Sequence, residues 1–271
     1  MSRNEWNNEK LFSRLLNNKS DKTYWDNIST LRKRPTKEVF DRAFELTHRK
    51  NIKARIIGID VLAQLGTAPR PFYTESNKRF FECIETEKSP EALMSLLYAI
   101  GFNNERLSKI QIDRLCKFGD SDNRRIKTGL VSALLGIDNL RAIDTLIKLS
   151  SDNSDHIRDW ATFGLGSQIR RNNKKIREAL WNRVNDKDID TKTEAIVGLA
   201  IRKDIRVNEI IKRELLSEEY GILLFEAIIA VSGKEFLPIL RRHLKKELAN
   251  EESNAYWIEK LNDCIIELGK K

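Results

Sequence analysis

A chain of 271 residues with 40% hydrophobic side chains can bury a core, yet it is long for one ordinary domain unless its units pack only on their neighbours. Charged residues make up 33%, Gly and Pro number only 12 and 5, and no low-complexity segment interrupts the pattern, which is the composition of a soluble helical protein. Lys plus Arg (49) exceeds Asp plus Glu (40), and the net charge of +9 suits either a solvated basic surface or a face that attracts nucleic acid or an acidic protein.

Apolar residues at helical spacing begin with Leu11, Phe12, Leu15 and Leu16. A second amphipathic stretch, Tyr24, Trp25, Ile28 and Leu31, must stop near Pro35, where the amide donor is missing. These two helices read as an N-terminal cap over residues 1–35, followed by one continuous array over 36–271. From Thr36 the chain settles into helix pairs. Lys53 to Leu65 is closed by Gly66, and Ala92 to Ile100 follows Pro90. Ile126 to Leu135 is closed by Gly136, and the next two second helices run through Leu165 and Leu199. Leu223 to Val231 is followed by Gly233, and Tyr256 to Leu268 ends the last pair. No stretch alternates with period two over a strand's length, so the fold class is all-α, a solenoid of about six to seven helix pairs with a helical cap.

Two stretches repeat one pattern. Ile157-Arg158-Asp159-Trp160-Ala161-Thr162-Phe163-Gly164-Leu165-Gly166 aligns with Thr191-Lys192-Thr193-Glu194-Ala195-Ile196-Val197-Gly198-Leu199-Ala200 at an offset of 34 residues. The small pairs Ala161/Gly164 and Ala195/Gly198 imply close helix approach, because glycine inside a helix costs about 1 kcal/mol relative to alanine.

At Ile157-Arg158-Asp159-Trp160-Ala161 with Leu165-Gly166 the chain resembles HEAT repeats, particularly those named after phycobilisome lyases. Ala63-Gln64-Leu65-Gly66 and Ala142-Ile143-Asp144-Thr145-Leu146-Ile147 are similar to bacterial stand-alone HEAT-repeat proteins. The resemblance covers roughly Thr36 to Gly233 and implies a ladder of turn acids and second-helix bases between adjacent units. Asp152, Arg158, Asp186 and Lys192 match its positions, while Arg55 and Lys127 match only the basic half.

The three histidines, His48, His156 and His243, lack metal-ligand spacing and read as exposed helix-end residues. Cys83, Cys116 and Cys264 are scattered, which argues against a disulfide framework or a zinc site. No phosphate loop or nucleophile elbow is present, so neither a catalytic residue, a metal nor a cofactor is expected. The N-terminus lacks the apolar core of a signal peptide. The longest apolar run, Gly221 to Gly233, is broken by Glu226 and falls short of the roughly 20 residues that span a bilayer. The expectation is a cytoplasmic, monomeric scaffold that binds a protein or peptide on its concave second-helix face and no membrane.

Partner contacts are expected at Tyr98, Arg125, Asp159, Phe163 and Thr193, positions that lie off the core stripe. Trp160 and Phe163 either wedge between repeats or anchor a bound segment. The alternative partner is nucleic acid, with Lys53, Arg55, Arg124 and Lys127 as candidate phosphate contacts joined by Arg125, Arg158 and Lys192. Such a protein would be related in fold to the alkylpurine DNA glycosylases.

Overall fold

The computed structural model describes Ser2 to Lys270; Met1 and Lys271, the outer bounds of the expected cap and array, lie outside the described residues. Among these the chain forms sixteen α-helices and no strand. Contacts divide it into two compact units, Met1–Ile137 and Asp138–Lys271.

The first unit contains α1 (Asn8–Leu16), α2 (Asp21–Arg32), α3 (Lys37–Leu46), α4 (Ile52–Gln64), α5 (Tyr73–Thr86), α6 (Pro90–Gly101), α7 (Lys109–Cys116) and α8 (Arg124–Leu134). Its even-numbered helices pack in sequence, α2 on α4, α4 on α6 and α6 on α8, and each odd-numbered helix lies against the second helix of its own pair. The second unit contains α9 (Leu140–Leu149), α10 (Asp155–Phe163), α11 (Lys174–Trp181), α12 (Ile189–Ile201), α13 (Val207–Ser217), α14 (Leu223–Val231), α15 (Leu237–Leu248) and α16 (Ala255–Lys270). It repeats the scheme, with α10 on α12, α12 on α14 and α14 on α16. The fold is therefore the all-α solenoid of helix pairs, built in each unit from a row of second helices flanked by first helices.

Turn chemistry sets the helix starts. Asn7, Asn51, Asn123, Asn139 and Asn173 each occupy an N-cap and accept a first-turn amide, as do Thr36, Ser89, Ser108 and Asp188. A cap of this kind contributes about 1 kcal/mol. Gly66 and Gly136 end their segments with φ of +81° and +74°, a conformation costly for any side chain.

The two kinds of helix bury different amounts of surface. In α9 the buried residues are Ala142, Ile143, Leu146 and Leu149, one stripe at helical spacing. In α12, Thr191, Thr193 and the run Ala195 to Ala200 are all buried, because second helices are covered by neighbours on two sides and by their own first helix. What remains accessible on a second helix is a narrow strip recurring every three or four residues: Ile56, Asp60 and Gln64 on α4, and Glu91, Met94 and Tyr98 on α6.

One second helix departs from the expected course. Instead of running regularly through Leu165, α10 stops at Phe163 and widens into a π-turn over Gly164–Gln168. The close approach expected at Gly198 is made to Gly166: a Cβ on Gly198 would lie 2.6 Å from the Gly166 Cα. Carbonyls in and around the widened turn are collected by Arg202, 5% exposed, which donates to the oxygens of Leu165, Gly166, Ile169, Arg171 and Gly198 at 2.6–3.2 Å. All five guanidinium N–H groups are satisfied by backbone. Burial, then the neighbouring Arg177, pulls the Arg202 pKa down to about 10.

Candidate functional site

The ladder residues hold adjacent helix pairs together. Arg158 crosses to the next pair and clasps Asp186 with Nε and Nη2 at 3.0 and 2.8 Å, while its Nη1 donates to the Asp152 and Asn153 carbonyls. Arg55 repeats the arrangement in the first unit: Nε and Nη2 reach Glu87 at 2.6 and 2.9 Å, and Nη1 reaches the Arg49 and Lys50 carbonyls. Glu87 is thus the acidic partner that the sequence pattern did not supply for Arg55. Burial pushes both acids up, but the arginine bonds and the turn amides outweigh it and hold Asp186 and Glu87 below the usual carboxylate range. Lys192 turns from the turn acids to Glu214 at 2.5 Å. Asp152 accepts from the Ser154 amide at 2.9 Å.

These bonds correct the expectation that Arg55, Arg158 and Lys192 face phosphates, because their charges are engaged by partly or fully buried carboxylates. Lys53 is exposed and donates to the Asn18 carbonyl at 2.7 Å. It lines a cleft of ≈ 700 Å³ with Arg42, Arg49 and Lys50, but Glu45 pairs with both arginines. Arg124 is exposed, Lys127 is half-buried, and Arg125 stands 3.3 Å from Glu91.

The accessible strip of the first unit opens into a groove of ≈ 470 Å³ bounded by α2, α4 and α6. Its walls are Trp25, Ile56, Met94, Tyr98 and Phe102, with Trp25 and Phe102 49% and 54% exposed. Asp60 is one of its polar lining groups, half-buried, with Tyr24 Oη donating to one carboxylate oxygen at 2.7 Å and Ser95 Oγ to the other at 2.5 Å. Burial pushes the Asp60 pKa up against the lowering effect of these two hydroxyls. The Tyr24 and Tyr98 phenols are also pushed up by burial, with Asp60 adding to the effect at Tyr24. Of the expected partner contacts, the groove includes Tyr98 alone. It adds Asp60, Trp25 and Phe102, which sequence reasoning missed. A signal was present for Asp60, a carboxylate standing inside the apolar run Ile56 to Ala63.

In the second unit Asp159 and Phe163 lie half-exposed on α10, with Trp160 41% exposed and edge-on to Phe163 at 5.8 Å. Burial and then Asp190 and Asp188 push the Asp159 pKa up to about 6. Glu194 is raised by burial, with Asp159, Glu226 and Asp190 adding repulsion against a hydrogen bond from Ser167. Thr193, expected at the surface, is instead buried at 9% exposure. Its hydroxyl donates back to the Ile189 carbonyl at 2.7 Å, and the accessible place falls to Glu194.

His243 also differs from expectation. It is buried in the middle of α15, stacked on Tyr220 and 2.6 Å from the Tyr220 hydroxyl, and burial lowers its pKa. No group of three or more His, Cys, Asp or Glu side chains with metal-binding geometry occurs among the described residues, and none of the helices there is long and apolar enough to cross a membrane.

No protein-family profile matches the chain. Over 142 residues it is 30% identical to Protein YibA of Escherichia coli strain K12, a match covering 52% of this chain and 50% of YibA; the O157:H7 protein of the same name matches equally. The chain thus aligns with about half the length of the curated relatives it matches. The X-ray structure of E. coli YibA superposes on 99% of this chain and 94% of its own with a TM-score of 0.75 at 22% identity. The chain is homologous to YibA over that matched half and shares its helical fold.

Proposed function

We propose that this protein is a HEAT-like repeat scaffold, of the type named after phycobilisome lyases, that holds another protein or a peptide against its second-helix face without catalysing a reaction. In this proposal it acts as a cytoplasmic monomer. The observation that carries it is the aromatic groove of the first unit. Trp25, Tyr98 and Phe102 leave apolar surface accessible along the narrow strip that the packed second helices expose, as a rigid anchor for a bound segment requires. The ladder at Arg55–Glu87 and Arg158–Asp186 supports the repeat type.

Nucleic acid is the weaker alternative. Four of its candidate contacts, Arg55, Arg125, Arg158 and Lys192, are paired with carboxylates and the groove is lined by acids, which leaves the cleft around Lys53 and the exposed Arg124 to speak for it. The test is capture by immobilised protein. Partners held by the wild type should be lost from Trp25→Ala and Tyr98→Ala at unchanged helical signal. Retention by both variants, or a captured nucleic acid released steeply by salt, contradicts the proposal.

A further inference from the structure

The groove of the first unit has an electrostatic character opposite to that of the whole molecule. The chain carries +9, yet the groove's charged lining residues are Asp21, Asp60 and Glu91, with no Lys, Arg or His among them. Glu91 has a cationic neighbour in Arg125 at 3.3 Å. Asp60 has hydroxyl partners instead: Tyr24 and Ser95 donate to it and bring no positive charge. Half-buried carboxylates are ordinarily matched by a cation, as Glu87 and Asp186 are in this same protein. Each Asp60 oxygen keeps a lone pair beyond the one bonded by a hydroxyl.

The same groove is lined by the flat rings of Trp25, Tyr98 and Phe102. Aromatic faces attract cations, and a guanidinium is planar, weakly hydrated and able to stack on a ring while donating to a carboxylate. An ammonium ion is compact and strongly hydrated and uses such walls less well.

We infer that the groove between α2, α4 and α6 receives an arginine side chain of a protein partner, its guanidinium against Trp25 and Tyr98 and directed at the Asp60 carboxylate. This inference rests on the second-helix face being the binding face, and it names the chemistry that face selects. Because the molecule as a whole repels polycations, affinity for an arginine-bearing segment must come from a local site such as this one.

The test uses the full chain and labelled peptides of alternating serine with arginine, lysine or citrulline, followed by fluorescence anisotropy. Citrulline keeps the shape of arginine and removes its charge. The arginine peptide should bind, and the citrulline peptide should bind on the order of tenfold more weakly, equivalent to about 1.4 kcal/mol. Asp60→Asn should erase that difference, whereas Asp41→Asn on α3 should leave it intact. If Asp60→Asn lowers the melting midpoint, Trp25→Ala at its half-exposed position carries the test and should weaken the arginine peptide alone.

Equal binding of arginine and citrulline peptides overturns the inference, as does arginine binding indifferent to Asp60→Asn, or no binding. A lysine peptide that binds as tightly as the arginine peptide overturns the assignment to a guanidinium. If all peptides bind equally and Trp25→Ala releases them all, the inference fails while the second-helix face stands as the binding face.

Discussion

The two units use the same helix pair and finish its second helix in different ways. In the first unit the carbonyls at the ends of second helices are met by short amides, one buried and one half-buried. Asn103 donates to Ala63 and Ala99, and Asn104 to Ala133 and Leu135. In the second unit α10 widens into a π-turn, Gly166 presses on Gly198, and the long side chain of Arg202 is needed to reach five carbonyls. The accessible strips differ as well. The first unit opens an aromatic groove around a carboxylate supported by hydroxyls, whereas the second crowds Asp159, Glu194 and Asp190 so that they repel one another. A repeat thus fixes the stack while leaving its helix ends and accessible strip free to differ.

The largest expected effect breaks this comparison at the helix ends. Arg202→Ala strands four buried carbonyls and a part-buried one and should destabilise the protein by on the order of 3 kcal/mol or more, whereas Asn103→Ala strands two and should cost about 1–2 kcal/mol. Urea unfolding curves measure both. Equal losses would mean that the π-turn finds other partners.

The ladder should show what the units share. Arg55→Met leaves the mostly buried Glu87 without its cation and should cost about 2 kcal/mol, whereas Arg158→Met leaves Asp186 only the 3.2 Å bond from Arg183 and should cost about 1–2 kcal/mol. The acids' folded pKa values lie below their unfolded ones. The rung's contribution is therefore present above the unfolded values, 3.8 for Asp186 and 4.5 for Glu87, and is lost as pH falls through the lower folded values. The methionine variants should show a shallower fall in melting midpoint on acidification below about pH 4 than the wild type; parallel curves would remove the rung from the acid sensitivity.

Gly198→Ala should cost about 1–2 kcal/mol, since its methyl group would meet the Gly166 Cα, while Gly221→Ala, with open space around it, should be neutral in the same melting experiment. A neutral Gly198→Ala would mean that the two helices separate freely.

The smallest effect is a gain. Asp159 has a raised folded pKa of about 6, so its ionised form opposes folding at pH 7, and that opposition fades as pH falls through 6 towards the unfolded value. Asp159→Asn should raise the melting midpoint at pH 7 by a small margin that shrinks below pH 6 and vanishes only near the unfolded value of 3.8. A midpoint lowered at pH 7 would give Asp159 a stabilising partner instead.

The fold was largely legible because a repeat displays its own period: the 34-residue offset, the glycines and the turn residues mark helix pairs without any knowledge of contacts. Asparagine N-caps were legible in kind, although their number reads at first as mere composition. The π-turn was not, because Leu165-Gly166 fits a regular helix locally and only the distant Arg202 makes the widened form affordable. The rungs were half legible. Arg158 showed its position, but Glu87 stands where other repeats carry aspartate, and the partner of Lys192 lies on α13 rather than in the turn. The groove was the least legible, since Trp25, Asp60 and Tyr98 come from three helix pairs and no spacing along the chain announces that they share one wall.

The most direct test of the account places a photo-crosslinking p-benzoylphenylalanine at Phe102, an exposed residue lining the groove, and in a separate protein at Glu82 on the first helix α5. Partner captured from host lysate should crosslink from position 102 and not from 82, and the crosslink should disappear when Trp25→Ala is added. Crosslinking from 82 with none from 102 would put the partner on the first-helix face and contradict the account.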